Sequence, residues 1–160
     1  MAKKVKIKKT LVEQILTKVG IDHTGIQINA LEGELPPEYE RKQIFKTLAL
    51  LGDKTGPIIG IVPITEHLAE KKLAKVSGNK KVSMIPQKDL EKTTGYIHGA
   101  NNPVGIRQKH NYPIYIDQTA LNLDVMIVSA GEVGHSIIIH PRDLASFVKA
   151  DFADILEESK

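Results

Sequence analysis

The sequence predicts a mixed α/β domain, with a strongly curved mixed sheet or open barrel and helices packed around it. Three observations lead there. The expected elements run helix, strand, hairpin, helix, strand, helix, glycine-rich loop, three strands, helix, and this order lacks the strict alternation of a doubly wound parallel sheet. Residues 46–51 and 57–64 are apolar runs joined by Gly52-Asp53-Lys54-Thr55-Gly56, which has the composition of a hairpin loop. Residues 114–117, 125–129 and 135–140 are short runs rich in β-branched residues.

Lysines dominate residues 1–9 and no apolar stretch follows them. They read as a flexible basic N-terminus, not an export signal, at the head of a single domain spanning 1–160. Thr10-Leu11-Val12-Glu13 matches a capping box and starts a helix that turns Leu11, Val12, Ile15, Leu16 and Val19 to one face, with Gly20 placed to end it. Residues 21–29 alternate loosely as a short strand. The acidic, Pro-Pro segment 31–38 is a loop that passes into a polar turn or short helix ending near Gln43. The hairpin is expected at the centre of the sheet. Thr65 is placed to cap a helix carrying Leu68, Leu73 and Val76 and ending at Gly78; residues 81–85 form a strand; Pro86 and Asp89 suit the first turn of the next helix. After the glycine-rich stretch come the three strands, with Gly131 and Gly134 in the turn between the last two. Pro141-Arg142-Asp143 then opens a helix that turns Leu144, Phe147 and Val148 inward.

Composition narrows the chemistry. A chain of 160 residues can bury one real core, and 4% aromatics with no Trp make that core aliphatic. With no Cys there is no disulfide, no thiolate nucleophile and no cysteine zinc site. The six histidines form no His-x-x-x-His pair, so no metal site is expected. No run reaches the ~18 apolar residues of a spanning helix, and a soluble, cytoplasmic protein is expected. The net charge of +3 is mild, but lysines gather at 3–9, at Lys71, Lys72 and Lys75, and at Lys80-Lys81, while acids gather at 32–40 and 151–158.

The stretch Thr94-Gly95-Tyr96-Ile97-His98-Gly99-Ala100-Asn101-Asn102-Pro103-Val104-Gly105 concentrates turn-forming residues, and Arg107, Lys109 and His110 follow at once. Free backbone N–H groups beside a cationic rim would suit the phosphates and ribose of a nucleotide end; a plain surface connection between strands fits as well. Lys46 leads into an apolar strand, so it either snorkels to water or faces an anionic ligand in a cleft. Ser129-Ala130-Gly131 puts a hydroxyl and turn amides at a strand's mouth without the Gly-x-Ser-x-Gly of a nucleophile elbow; a turn serine bonding its own backbone is the alternative. Glu32, Glu34, Glu38 and Glu40 read as a solvated loop, not a catalytic carboxylate pair.

Taken in order, Phe45-Lys46-Thr47-Leu48, Lys80-Lys81-Val82-Ser83-Met84, Thr94-Gly95-Tyr96 with Gly99 and Pro103-Val104-Gly105, Val128-Ser129-Ala130-Gly131, and Pro141-x-Asp143-Leu144 resemble the YbaK/EbsC family. The resemblance runs from about residue 10 to the C-terminus. Its members are free-standing aminoacyl-tRNA deacylases related to the editing domain inserted in bacterial prolyl-tRNA synthetases. It implies the YbaK/ProRS editing-domain fold and removal of cysteine from tRNA(Pro), with Cys-tRNA(Cys) also accepted. The implied chemistry is attack of the substrate thiol on its own ester, a lyase-type release of thiolactone that needs no cofactor and no metal. The implied partners are the acceptor end of aminoacyl-tRNA and, as a second candidate, prolyl-tRNA synthetase.

On the same resemblance Lys46, Gly99 and Ser129 are the catalytic positions. Lys46 would bind the terminal phosphate or ribose, the Gly99 amide the developing oxyanion, and Ser129 the substrate amine or thiol. Phe45, Thr47, Gly95, Tyr96, Ala100, Pro103, Gly105 and Gly131 would contact substrate, while Arg107 and Lys109 would hold backbone phosphates. The chain departs from the family where Gly-Gly becomes Gly99-Ala100 and Ala130-Gly131, and residues 23–28 lack a tyrosine that many relatives carry. An alanyl-tRNA(Pro) deacylase using water, or a non-catalytic module binding the acceptor end, are the alternatives.

Overall fold

The computed structural model describes residues 9–28 and 35–158; the lysines of 1–8, together with Glu32 and Glu34, lie outside the described residues. Helix α1 (Leu11–Val19) begins as its capping box requires: Thr10 Oγ1 accepts from the Glu13 N–H at 3.2 Å and Glu13 Oε2 accepts from the Thr10 N–H at 2.8 Å. It ends at Gly20 with φ 78°, and Val12 and Leu16 are buried.

Strands β1 (His23–Ile26), β2 (Phe45–Gly52), β3 (Gly56–Pro63), β4 (Val82–Met84), β5 (Ile114–Asp117), β6 (Met126–Glu132), β7 (His135–Ile139) and β8 (Asp151–Ala153) form two sheets. One is three-stranded, in the order β1-β7-β6, and antiparallel throughout; the other is five-stranded, β4-β2-β3-β5-β8, with the last two pairings parallel. The mixed α/β architecture is as expected, but it is built from two sheets that do not close, joined by a parallel bridge between Ile44 and Ile127. The hairpin β2-β3 holds the middle of the larger sheet, as the sequence indicated.

Strand alternation divides the core in two. Phe45, Ala49, Ile59 and Ile61 face Met126, Val128, Ile137 and Ile139 of the other sheet, with α1 and α5 (Pro141–Val148) closing that layer. Leu48, Leu50, Ile58 and Val62 face the opposite way, toward Leu73 of α2 (Glu70–Ser77) and Ile155.

Three elements differ from the expectation. Helix α2 starts from Ala69 with no side-chain cap, not from Thr65. Residues before it are claimed by the C-terminal segment: Leu68 bridges Leu156, the Ala69 N–H donates to the Ile155 carbonyl at 2.8 Å, and the Leu68 side chain covers Gly60. Residues read as the end of a loop form α4 (Pro103–Lys109), with Pro103 in the first turn and Asn102 as N-cap. Finally, the acidic C-terminal region contributes β8, anchored where buried Asp117 accepts from the Ile155 N–H at 3.1 Å. Helix α3 (Gln87–Thr94) completes five helices among the described residues, none long and apolar enough to cross a membrane.

Candidate active site

The site exists because β4 leaves β2 early. The pairing of β2 with β4 covers Gly52, Leu51 and Leu50, and its last hydrogen bond runs from the Ile85 N–H to the Ala49 carbonyl at 3.1 Å. Pro86, which has no N–H to continue the ladder, then turns the chain into α3. The first half of β2 thereby loses β4 as its partner, while β3 pairs along its whole length on the other side.

A cleft of about 270 Å³ opens at this free edge. Its walls are β2 from Phe45 to Ala49, Met84 and Ile85 at the end of β4, and Gln87 and Leu90 of α3. His98, Gly99 and Asn101 of the glycine-rich loop close it, with Ile127, Val128 and Ser129 of β6 and Gly134, His135 and Ser136 at the start of β7. Ligand clefts run from ~300 Å³ upward, so this one suits a small group such as an aminoacyl ester better than several nucleotides.

Phe45, Lys46, Thr47, Gly99 and Ser129 all line it. Lys46 is half-buried and, among the described residues, forms no ion pair or hydrogen bond. It points to the face of β2 opposite Phe45 and Thr47, and it also borders an adjoining groove with His67, Leu68, Glu70 and Glu157. Thr47 is 8% exposed, and its hydroxyl is buried with no hydrogen-bond partner. Ser129 stands opposite Ser136 in the ladder and just before a bulge; its Oγ accepts from the Gly131 N–H at 3.2 Å. The turn-serine contact is present, and the hydroxyl proton remains available to the cleft.

Gly99 sits at φ 89° in a loop braced at both ends by fully buried side chains. Thr94 Oγ1 donates to Asn101 Oδ1 at 2.8 Å; Asn102 Nδ2 donates to the Ala100 carbonyl at 3.1 Å, while Asn102 Oδ1 accepts from the Gly105 N–H at 2.6 Å. Among the described residues the Gly99 N–H has no partner.

The other expected contact residues stand behind this wall. Gly95, at φ 87°, caps α3; Ala100, Pro103 and Gly105 are buried; Tyr96 packs across Gly105. Lys109 places its ammonium 4.5 Å from the centre of the Tyr96 ring. Gly131, at φ 93°, lies against Asn102, Val12 and Tyr96. Arg107 is committed to the fold: Nε donates to the Val148 carbonyl at 2.6 Å, one terminal nitrogen to Asn111 Oδ1 at 2.8 Å and the other to the Tyr112 carbonyl at 3.1 Å, and burial draws its pKa down. The cationic rim read from the sequence therefore does not border the cleft.

Sequence reasoning passed over Gln87, His135 and Ser136, and it took in His98 and Asn101 only as parts of the 94–105 loop. His135 is buried, with Nε2 3.7 Å from Oε2 of the equally buried Glu13, whose carboxylate is covered by the backbone at Gly25. No short motif signals such a pair; Glu13 is legible only as a capping residue.

A family model described as the aminoacyl-tRNA editing domain matches residues 34–147, which take in the cleft from β2 through β7. The chain belongs to this family. A protein of Enterococcus faecalis, provisionally named the Cys-tRNA(Pro)/Cys-tRNA(Cys) deacylase EbsC, is 45% identical over 116 residues, 72% of this chain and 70% of that one. Among solved structures, one provisionally described as a trans-editing enzyme for prolyl-tRNA synthetase superposes with TM-score 0.78 at 22% identity, covering 92% of this chain and 95% of that one. Another, a hypothetical protein, gives 0.81 at 20%, over 91% and 99%. At these identities the two structures speak for the editing-domain fold, and the family model and the Enterococcus relative for membership of the YbaK/EbsC group.

Proposed function

We propose that this aminoacyl-tRNA deacylase is a trans-acting, cytoplasmic enzyme that frees tRNA(Pro), and also tRNA(Cys), of cysteine by using the cysteine thiol as nucleophile. The observation that carries this reading is a small cleft that offers an unpaired amide at Gly99 and a hydroxyl at Ser129 but no activated nucleophile of its own. The chain has no Cys, and no described side chain hydrogen-bonds to Ser129 as a base would.

In the proposed reaction Lys46 holds the terminal ribose or phosphate and Ser129 orients the amine or thiol. The thiol gives up its proton and its sulfur attacks the ester carbonyl carbon. The carbonyl oxygen becomes an oxyanion at the Gly99 N–H. The ester C–O bond then breaks, the tRNA hydroxyl leaves with a proton, and cysteine departs as a four-membered thiolactone. Holding the thiol against its own ester exploits an effective molarity on the order of 10⁵ M or more in well-oriented cases. Docking on prolyl-tRNA synthetase would confine this activity to that enzyme's errors.

Ala100 and Ala130, the departures from Gly-Gly near the pocket, are both buried and outside the cleft lining, so they add nothing in favour of the alanine alternative.

The test is deacylation of Cys-tRNA(Pro), Ser-tRNA(Pro) and Ala-tRNA(Pro) in parallel, with Lys46→Ala beside the wild type. Cysteine should be released much faster than serine, because a thiolate forms far more readily than an alkoxide at neutral pH. Lys46→Ala should lose most activity with an unchanged circular dichroism spectrum, and wild-type activity should fall with added salt. Equal rates on cysteine and serine, or an aminoacyl group trapped on Ser129, would overturn the thiol mechanism.

A further inference from the structure

We propose that the free edge of β2 at Thr47 binds the α-amine of the aminoacyl group, through the Thr47 carbonyl and hydroxyl, so that the amino acid docks as one residue of an added strand. The inference rests on reading the cleft as the aminoacyl chamber and adds what that reading leaves open: how the part common to every amino acid is held.

The ladder itself identifies the open rung. The Ile64 N–H donates to the Ile44 carbonyl at 2.9 Å, so even-numbered residues of β2 bond toward β3. Odd-numbered residues bond the other way: the Asp53 N–H donates to the Lys81 carbonyl at 3.1 Å, and the Ala49 carbonyl accepts from Ile85 at 3.1 Å. Thr47 is the next odd position, and there the neighbouring strand has already turned away at Pro86. No strand or bridge among the described residues pairs with Thr47 on that side.

The side chain repeats the message independently. The Thr47 hydroxyl is the one buried side-chain polar atom left unpaired among the described residues, on a residue only 8% exposed. Its companions on that face of β2, Phe45 and Ala49, and Leu90 across the cleft, have no side-chain group that could satisfy it. Native proteins pair such groups almost without exception, so a buried unpaired hydroxyl on a cleft residue, at a strand position with no neighbouring strand on that side, points to a ligand that supplies the partner. An ammonium group carries donors only, and a carbonyl and a hydroxyl oxygen can both accept from it. Bonds of this kind are directional and cost the ligand little to form at a strand edge that is already extended.

The experiment pairs the residue with the substituent. Wild type, Thr47→Val and Thr47→Ser are assayed on cysteinyl-tRNA(Pro) and on 3-mercaptopropionyl-tRNA(Pro), which keeps the thiol and the ester but lacks the α-amine. Wild type should favour the cysteinyl ester by roughly tenfold or more in kcat/KM, the range of a hydrogen bond to a charged group. Thr47→Val should lose most of that preference by slowing the cysteinyl ester selectively, and Thr47→Ser should keep it. Thr47→Val should also melt no lower than wild type, because it removes an unpaired hydroxyl without changing shape. If Thr47→Val slows both esters equally, or slows neither, the inference is wrong while the editing reading stands. If wild type releases neither acyl group, the editing reading fails and takes this inference with it.

Discussion

Replacing Asn102 with alanine tests whether the loop that presents Gly99 is held by one buried side chain. Asn102 is fully buried and makes two bonds, accepting from the Gly105 N–H at 2.6 Å as the N-cap of α4 and donating to the Ala100 carbonyl at 3.1 Å. Loss of an N-cap costs about 1 kcal/mol. Ala100 is itself buried, 4% exposed, so water does not readily replace the second bond, and an unsatisfied carbonyl adds about 1–3 kcal/mol. The sum, about 2–4 kcal/mol, corresponds to a melting temperature lower by about 4–16 °C at the 2–4 °C per kcal/mol of a domain this size. Asn102→Ser keeps a cap acceptor and loses only the Ala100 bond, so it should fall between. Deacylation measured well below the melting point should drop in the same order, because Gly99 lies between the two braces of the loop. A melting point within about 2 °C of wild type, with full activity, would refute the claim that Asn102 fixes this wall, since the two losses together predict at least about 4 °C.

Two further outcomes follow from local geometry. A Cβ at Gly105 would lie 2.5 and 2.8 Å from Tyr96 ring carbons, so Gly105→Ala should destabilise by about 1–3 kcal/mol in denaturant unfolding, and pairing it with Tyr96→Leu should recover part of the loss; additive losses would show the two do not share the space. Hydrogen bonds from the Lys81 and Lys80 N–H groups hold the Asp53 carboxyl below its usual value of 3.8. A depressed folded-state value means a contribution present above the unfolded value and lost as pH falls through the folded one, so the melting difference between wild type and Asp53→Ala should be present at neutral pH and vanish in acid; a pH-independent difference would contradict it.

Elements with local signals were legible in the sequence. Thr10 with Glu13, Gly20, the Gly52–Gly56 loop and Pro141 each specify a boundary through their own backbone or side-chain chemistry, and each boundary lies where it was expected. Elements decided at a distance were not. Thr65 is a sound cap in isolation, but Leu68 and Ala69 pair with residues near the C-terminus, and nothing local announces that. Helix α4 was hidden because Gly99, Asn101, Asn102 and Pro103 carry strong turn signals, and because Pro103, Val104, Gly105 and Ile106 are buried in succession and give no amphipathic period. In the site, Lys46, Gly99 and Ser129 could be picked out by their resemblance to a family pattern. His135 and Gln87 belong to no motif; the β6-β7 hairpin places His135, and the departure of β4 from β2 places Gln87, where Pro86 was legible only as the opening of a helix.

The alternation of β2 also divides the substrate between neighbouring residues. Thr47 faces the chamber with Phe45 and Ala49, and Lys46 faces the other side, at the border of the groove that contains Glu70 and Glu157. Two consecutive strand residues do not reach the same atom, so on the proposed reading Lys46 acts on the nucleotide and Thr47 on the amino acid. The two carboxylates make the groove itself a poor seat for phosphate, which leaves the mouth of the cleft as the place where the Lys46 ammonium meets the acceptor end. This separation sharpens the two substitutions already described. Lys46→Ala should slow cysteinyl and 3-mercaptopropionyl esters by the same factor, because both carry the same nucleotide, and so leave the preference for the amine intact. Thr47→Val should do the reverse. If Lys46→Ala erased the amine preference, the lysine would be acting on the aminoacyl group, and the assignment of opposite faces to opposite ends of the substrate would be wrong.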